Sequence, residues 1–202
     1  MVGGFLGHGT PNSIVEAMCE SELKDLTVAC NDTGFPEGAE KFGFRGVSEL
    51  VARHKIKTLY VSHIGTNPET SNQMNAGELE VEFCPQGTLA ERIRAKGAGL
   101  GGGLTATGLG TIIAEGKEVI TVDGKEYLLE KPLGADVAII GASIADEAGN
   151  LIYKGTTQNF NPLMATAADI VIAEAEEVVA TGTLAPETIH TSGVYVDYLY
   201  KK

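Results

Sequence analysis

Cysteine is scarce in this sequence. There are three, Cys19, Cys30 and Cys84, an odd number, widely spaced and without a C-x-x-C pair. That pattern disfavours both a disulfide framework and a zinc site, and leaves small, reduced apolar side chains. Basic residues are also few, 15 Lys and Arg against 27 Asp and Glu, for a formal net charge of −12. Nucleic-acid surfaces and surfaces that dock on anionic membranes are normally basic, so neither partner is expected. An anionic small molecule would have to be held by local donors, such as backbone N–H groups and helix N-termini. No apolar run approaches the ~20 residues of a membrane helix. The first residues carry no basic, apolar and small-residue export pattern, so a cytoplasmic protein is expected. No composition break or internal repeat divides the 202 residues, which suit a single domain spanning 1–202.

Several chemistries lack their motifs. His8, His54, His63 and His190 form no H-E-x-x-H or other ligand spacing, so no metal site is expected. There is no G-x-S-x-G nucleophile elbow, and no Gly-Lys-Ser/Thr closes a glycine loop. Gly97, Gly99 and Gly102 spell G-x-G-x-x-G, but they follow a helical segment instead of a strand, and the dinucleotide context fails.

What the sequence has in plenty is glycine, 26 residues, four of them in the opening "MVGGFLGHGTP". Short apolar runs then recur, each followed by a turn and often by a segment of helical period, the rhythm of an α/β protein. "DLTVACND", "TLYVSHIG", "ELEVEFCP", "ADVAIIGAS", "DIVIAEAEEVV" and "VYVDYLY" read as strands. Thr10-Pro11, with Ser13 and Glu16 as a second capping reading, opens a helix; "VSELVARHK", including His54, and "QGTLAERIRAK", capped by Thr88, are others. Asp123-Gly124 between alternating runs predicts a type I′ hairpin. In "ELEVEF" the alternation predicts Glu78, Glu80 and Glu82 on a solvated face.

Ligands of open α/β sheets bind beyond the carboxyl ends of strands. That edge gathers "GHGTP", Asn31-Asp32, His63 and Gln86. Gln86, in the turn "PQGT", either donates hydrogen bonds to a carbonyl or oxyanion or caps the following helix. Arg92, Arg94 and Lys96 either meet a phosphate or line an exposed helix.

Taken in order, "GGFLGHGTP", "NDTG", "SHIGTNPE", "GELEVEFCPQGTLAERIR", "GAGLGGGLTATGLGT", "DEAGNLIY" and "NFNPLMATAAD" resemble the blocks of family I coenzyme A transferases, and in particular their A, or alpha, subunits. The resemblance implies an open, mostly parallel sheet flanked by helices with an added β-hairpin. It implies transfer of coenzyme A from a short-chain acyl-CoA (acetyl, butyryl or acetoacetyl) to a free carboxylate, through a glutamyl-CoA thioester on a B (beta) subunit. Coenzyme A is then a substrate, with no permanently bound cofactor, and the assembly is α2β2 or higher.

The B-subunit Ser-Glu-Asn-Gly motif is absent here, so this chain shapes the site without supplying its nucleophile. By position, Gln86 becomes the oxyanion donor and Asn31 an amide beside it. Gly3, Gly4, Phe5, Leu6, Gly7, His8 and Gly9 become the segment facing coenzyme A, with the helix end near Thr10 toward its phosphates. Relatives carry a helix and the start of a strand ahead of "MVGGF", which this sequence lacks. Lys96, Gly103 and Ala106 also depart from the family pattern. Two other readings are a sugar-phosphate isomerase or ligand sensor on a similar fold, and a partner whose site has decayed.

Overall fold

The computed structural model describes residues 1–36 and 46–202. Three predicted strands, β1 (Leu26–Asp32), β2 (Ile56–His63) and β3 (Glu80–Phe83), lie parallel in that order. β4 (Gly103–Thr105), β5 (Val119–Val122) and β6 (Lys125–Glu130) form a separate antiparallel sheet. Its β5–β6 turn is the hairpin predicted at Asp123-Gly124. Val122 pairs with Lys125, and φ is 50° at Asp123 and 76° at Gly124, the double positive φ of a type I′ turn. β7 (Ala135–Asp146), β8 (Leu151–Ile152), β9 (Ala168–Val179) and β10 (Tyr198–Lys201) make a third group in the order β10-β9-β7-β8.

The opening residues weld the first and third groups together. Val2 N–H donates to Ala29 O at 2.9 Å, Gly3 N–H to Ile139 O at 2.9 Å, and Ile139 N–H to Met1 O at 3.0 Å. Residues 1–3 thus act as a short strand between β1 and β7. The result is one open, mostly parallel sheet, as expected. Between β1 and β7 an apolar groove of about 1210 Å³ runs on past Met1, lined by Leu26, Val28, Leu133 and Val137 among others. The Met1 ammonium donates to Val137 O at 2.7 Å, and burial lowers its pKa from 8.0 to about 6.

Strand alternation gives the sheet two apolar faces, each covered by helices. Val2, Val28, Cys30, Leu59, Val61 and Ile139 face α1 (Asn12–Glu20), through Val15 and Cys19, and α2 (Ser48–Ala52), through Leu50 and Val51. α3 (Pro68–Ala76) adds Met74 to that side. Met1, Ala29, Ala138 and Ile140 face the other way, toward Leu89 and Ile93 of α4 (Gln86–Gly97) and Met164 of α5 (Asn161–Ala165). Burying a Leu or Ile as completely as Leu50, Leu59, Leu89 and Ile93 contributes about 1.5–3 kcal/mol each.

Five local expectations are corrected. The first residues of α1 are not capped by Thr10 or Ser13: its N-cap is Pro11, and the acceptor is the Glu174 carboxylate of β9. His54 lies just past α2, at φ 50°, with Nδ1 3.3 Å from Glu78 Oε2. Thr88 caps nothing, its hydroxyl being buried without a partner among the described residues, and α4 begins at Gln86 after Pro85. Finally, Glu82 does not simply face water, because it reaches the buried Arg92. Of "VYVDYLY", only Tyr198 onward is strand; Gly193–Tyr195 form a 3₁₀ turn.

Candidate active site

The carboxyl edge of β1 and the start of α4 meet through two amides. Register fixes this: β1 pairs with β2 up to Asp32↔His63, and β2 pairs with β3 up to Val61↔Phe83, so Gln86, three residues on, returns beside Asn31. Gln86 Nε2 donates to Asn31 Oδ1 at 2.8 Å. Asn31 is only 2% exposed, whereas Gln86 is open to solvent. Asn31 Nδ2 in turn donates to Asp32 Oδ2 at 2.7 Å, and Ser62 Oγ lies 2.7 Å from Asn31 O and 3.0 Å from Asn31 Oδ1. One Gln86 N–H is spent on Asn31, and no second partner takes the other among the described residues. Chemically this is an uncharged donor, held from behind and open to solvent at the sheet's carboxyl edge. His63 stands on the same edge, exposed, its ring against Gly65.

The opening glycines form a tight hairpin beside these amides. Phe5 N–H donates to His8 O at 3.0 Å and His8 N–H to Phe5 O at 2.9 Å, around Leu6 (φ 49°) and Gly7 (φ 85°). Phe5 and His8 are exposed at its base. Leu6 pays conformational strain that most residues avoid, and its N–H is held by Asp32 Oδ2 at 2.8 Å.

The reason for the glycines differs from the one the sequence suggests. A Cβ on Gly3 would stand 1.8 Å from Asn161 Oδ1, on Gly4 2.1 Å from Thr10 Oγ1, and on Gly9 2.4 Å from Thr157 O. These positions are glycine because the protein packs on them. The organiser is the fully buried Asn161, which accepts from Gly141 N–H and donates to Gly9 O at 3.0 Å and Thr157 O at 2.8 Å.

Two electrostatic expectations also change. The start of α1 does not offer its positive end to phosphates, since Glu174, 4% exposed, already sits there: Ile14 N–H donates to its Oε2 at 3.0 Å and Ser13 Oγ to its Oε1 at 3.1 Å. Arg92 is not a free cation. It is 9% exposed, donates to Glu82 Oε1 at 2.6 Å and Lys131 O at 3.0 Å, and stacks over Tyr60. Lys117 neutralises the neighbouring Glu130 at 2.6 Å. Arg94 pairs with Glu91 in solvent, and the Lys96 stem packs over Gly134. The three cysteines are free and buried, and burial pushes each thiol pKa up, away from nucleophilic use. Among the described residues no group of His, Cys, Asp and Glu could hold a metal ion, and no helix is long and apolar enough to cross a membrane.

Sequence reasoning did not single out Ser62 or the capping role of Glu174. The first carries no signal beyond its place on β2. The second has one, a carboxylate at a core position of an otherwise apolar run, "IVIAEA", where a charge is retained only with partners.

A glycine hairpin and two interlocked amides stand at the carboxyl edge of a parallel sheet, the edge where ligands of open α/β sheets bind. The chain belongs to the coenzyme A transferase family, whose model matches residues 1–202. It is 50% identical over 199 residues to the acetate CoA-transferase subunit alpha of Escherichia coli (strain K12), covering 98% of this chain and 87% of that one. It is likewise 50% identical over 202 residues to the acetoacetyl-CoA:acetate/butyrate CoA transferase alpha subunit of Clostridium acetobutylicum, covering 100% and 89%. Among solved structures, the acyl-CoA transferase apoenzyme of Escherichia coli O157:H7 superposes with a TM-score of 0.86 at 21% identity. That match covers 97% of this chain and 42% of the solved one, and bears on the fold alone. Both of these relatives are CoA-transferase alpha subunits, and the sugar-phosphate isomerase reading draws no support from them.

Proposed function

We propose that the chain is the alpha half of a short-chain acyl-CoA:carboxylate CoA-transferase, working in the cytoplasm with a beta subunit that carries the nucleophilic glutamate. The observation that carries this reading is the Gln86–Asn31 pair, an exposed amide donor backed by a buried one, in a chain that resembles alpha subunits from end to end. Attack of a carboxylate on a thioester carbonyl turns its oxygen into an oxyanion. The unspent N–H of Gln86 stabilises that oxygen, while Asn31 holds the donor in place. Acyl-anhydride and glutamyl-CoA thioester intermediates then form on the partner's glutamate.

Coenzyme A, a substrate and not a resident cofactor, lies against the outer side of residues 3–9, toward exposed Phe5 and His8. The cavity beside the hairpin, lined by Gly7, His8, Thr10, Ser143, Glu174 and Lys202, is about 220 Å³. Sites for small ligands are typically ~300–1,000 Å³, which supports a crevice completed by a second chain in an α2β2 or larger assembly. The test is Gln86→Ala in the assembled enzyme. Turnover falls ~100-fold or more, as when an oxyanion donor is lost, while stability drops by only about 0.5–1.5 kcal/mol for one exposed hydrogen bond. Unchanged turnover by the folded variant would remove Gln86 from the chemistry.

A further inference from the structure

Asp32 is a buried carboxylate with no part in the chemistry above, yet it touches both halves of the crevice. It is 6% exposed. Its Oδ2 accepts from Asn31 Nδ2 at 2.7 Å and from Leu6 N–H at 2.8 Å, and its Oδ1 accepts from Gly34 N–H at 2.8 Å. One oxygen therefore binds the amide behind Gln86 and the strained tip of the glycine hairpin.

We infer that Asp32 is a positioning residue that sets Gln86 as a donor and fixes its distance from the 3–9 hairpin, an inference that rests on the proposed function. The first half follows from hydrogen-bond chemistry. An ionised carboxylate only accepts, so it holds Asn31 with Nδ2 inward and Oδ1 outward. Oδ1 can then receive only a donor, so Gln86 turns its Nε2 toward Asn31, and the same nitrogen keeps its second N–H for the substrate. Were Asn31 reversed, its Nδ2 would donate to Gln86 Oε1, and Gln86 Nε2 would swing to the side its carbonyl now occupies, moving the donor from the place this arrangement gives it. The acceptor-only character of Asp32 thus passes through two amides to the donor at the site.

The second half follows from Leu6. At φ 49° this residue occupies a conformation costly for a branched side chain, and its N–H is satisfied by the same Oδ2. A hairpin held this way keeps its place relative to Gln86, so a thioester whose coenzyme A portion lies on the hairpin delivers its carbonyl to the amide. Such orienting contacts commonly matter 10–100-fold where they hold metal ligands, and the same logic applies to an oxyanion donor.

The experiment is a double-mutant cycle on the complex with its beta subunit, using Asp32→Asn, Gln86→Ala and the pair. Two substrates carry the same acyl group, one on coenzyme A and one on N-acetylcysteamine, which is too short to reach the hairpin. With acyl-CoA, Asp32→Asn lowers kcat about 10–100-fold and raises KM. With the short thioester it lowers kcat alike and leaves KM unchanged. In the Gln86→Ala background the kcat loss from Asp32→Asn shrinks to within about threefold, because the donor it orients is gone. Asp32→Glu keeps the acceptor-only head and restores most of kcat, while Asp32→Ser, which loses the carboxylate, takes the place of Asp32→Asn in the cycle should the Asn variant fail to fold. Equal kcat losses from Asp32→Asn in both backgrounds would overturn the inference while leaving the Gln86 assignment intact. A Gln86→Ala enzyme with full activity would instead overturn the function on which it rests.

Discussion

Replacing Gly9 by alanine separates two reasons for a glycine at the hairpin. Gly9 has φ 72°, and its missing Cβ would stand 2.4 Å from Thr157 O and 2.9 Å from Asn161 Nδ2. Gly110 provides a matched control, with φ 71° and nothing within 4 Å of the same position. Alanine at a positive φ costs about 1–2 kcal/mol in backbone strain, and the lost freedom of the unfolded chain returns about 0.4–1 kcal/mol. Both terms are common to the two sites. Gly9→Ala must also push back a carbonyl that Asn161 holds at 2.8 Å, an overpacking cost of about 1–3 kcal/mol. Gly9→Ala is therefore expected to be less stable than Gly110→Ala by about 1–3 kcal/mol, roughly 2–12 °C in Tm for a chain of this size. Urea and thermal unfolding of the two variants side by side measure the difference. Equal stabilities would refute the packing argument, and a stable Gly9→Ala that fails to bind coenzyme A would return the glycine to a ligand-facing role.

Three further outcomes are expected. The folded pKa of the Met1 amine, about 6, lies below its unfolded value of 8.0, so the unfolded chain binds more protons between them. Stability of the 202-residue chain then rises from pH 6 to pH 8 by roughly 2–3 kcal/mol and is lost again as pH falls through that window; urea titrations of N-acetylated protein should lack this rise. Arg92→Met takes a buried cation from Glu82 and Glu130 and leaves Lys131 O unpaired, costing about 3–5 kcal/mol in chemical denaturation, whereas Arg94→Met, at an exposed pair, leaves the midpoint unchanged. Glu174→Ala strips the acceptor from the start of α1 and lowers stability by about 1–2 kcal/mol, read from the same denaturation curves.

Much of this molecule is legible in its sequence, because the strands are short apolar runs bounded by turn residues and their period is unmistakable in "LTVACND" and "DIVIAEAEEVV". The type I′ turn at Asp123-Gly124 follows from the two residues alone. The carboxyl-edge rule brought Asn31 and Gln86 to one place, and the 2.8 Å bond between them agrees. What stayed hidden depends on contacts distant along the chain. Glu174 caps a helix from 160 residues away, and Asn161 fills the space over Gly3 and Gly9 from a helix more than 150 residues on. A local reading supplies Thr10 or Ser13 as caps and leaves the glycines open to a ligand. Arg92 misled for the same reason: its partners come from β3 and β6, so a basic helix face that looks solvated is half buried.

The most direct test of the central claim is an exchange assay on the reconstituted pair. The chain is purified with and without a beta subunit bearing the Ser-Glu-Asn-Gly motif, and transfer of coenzyme A from butyryl-CoA to acetate is followed. Turnover only in the mixture, abolished when the beta-subunit glutamate is changed to alanine, is the expected result. Turnover by the isolated chain would place the nucleophile among its own carboxylates and contradict the account.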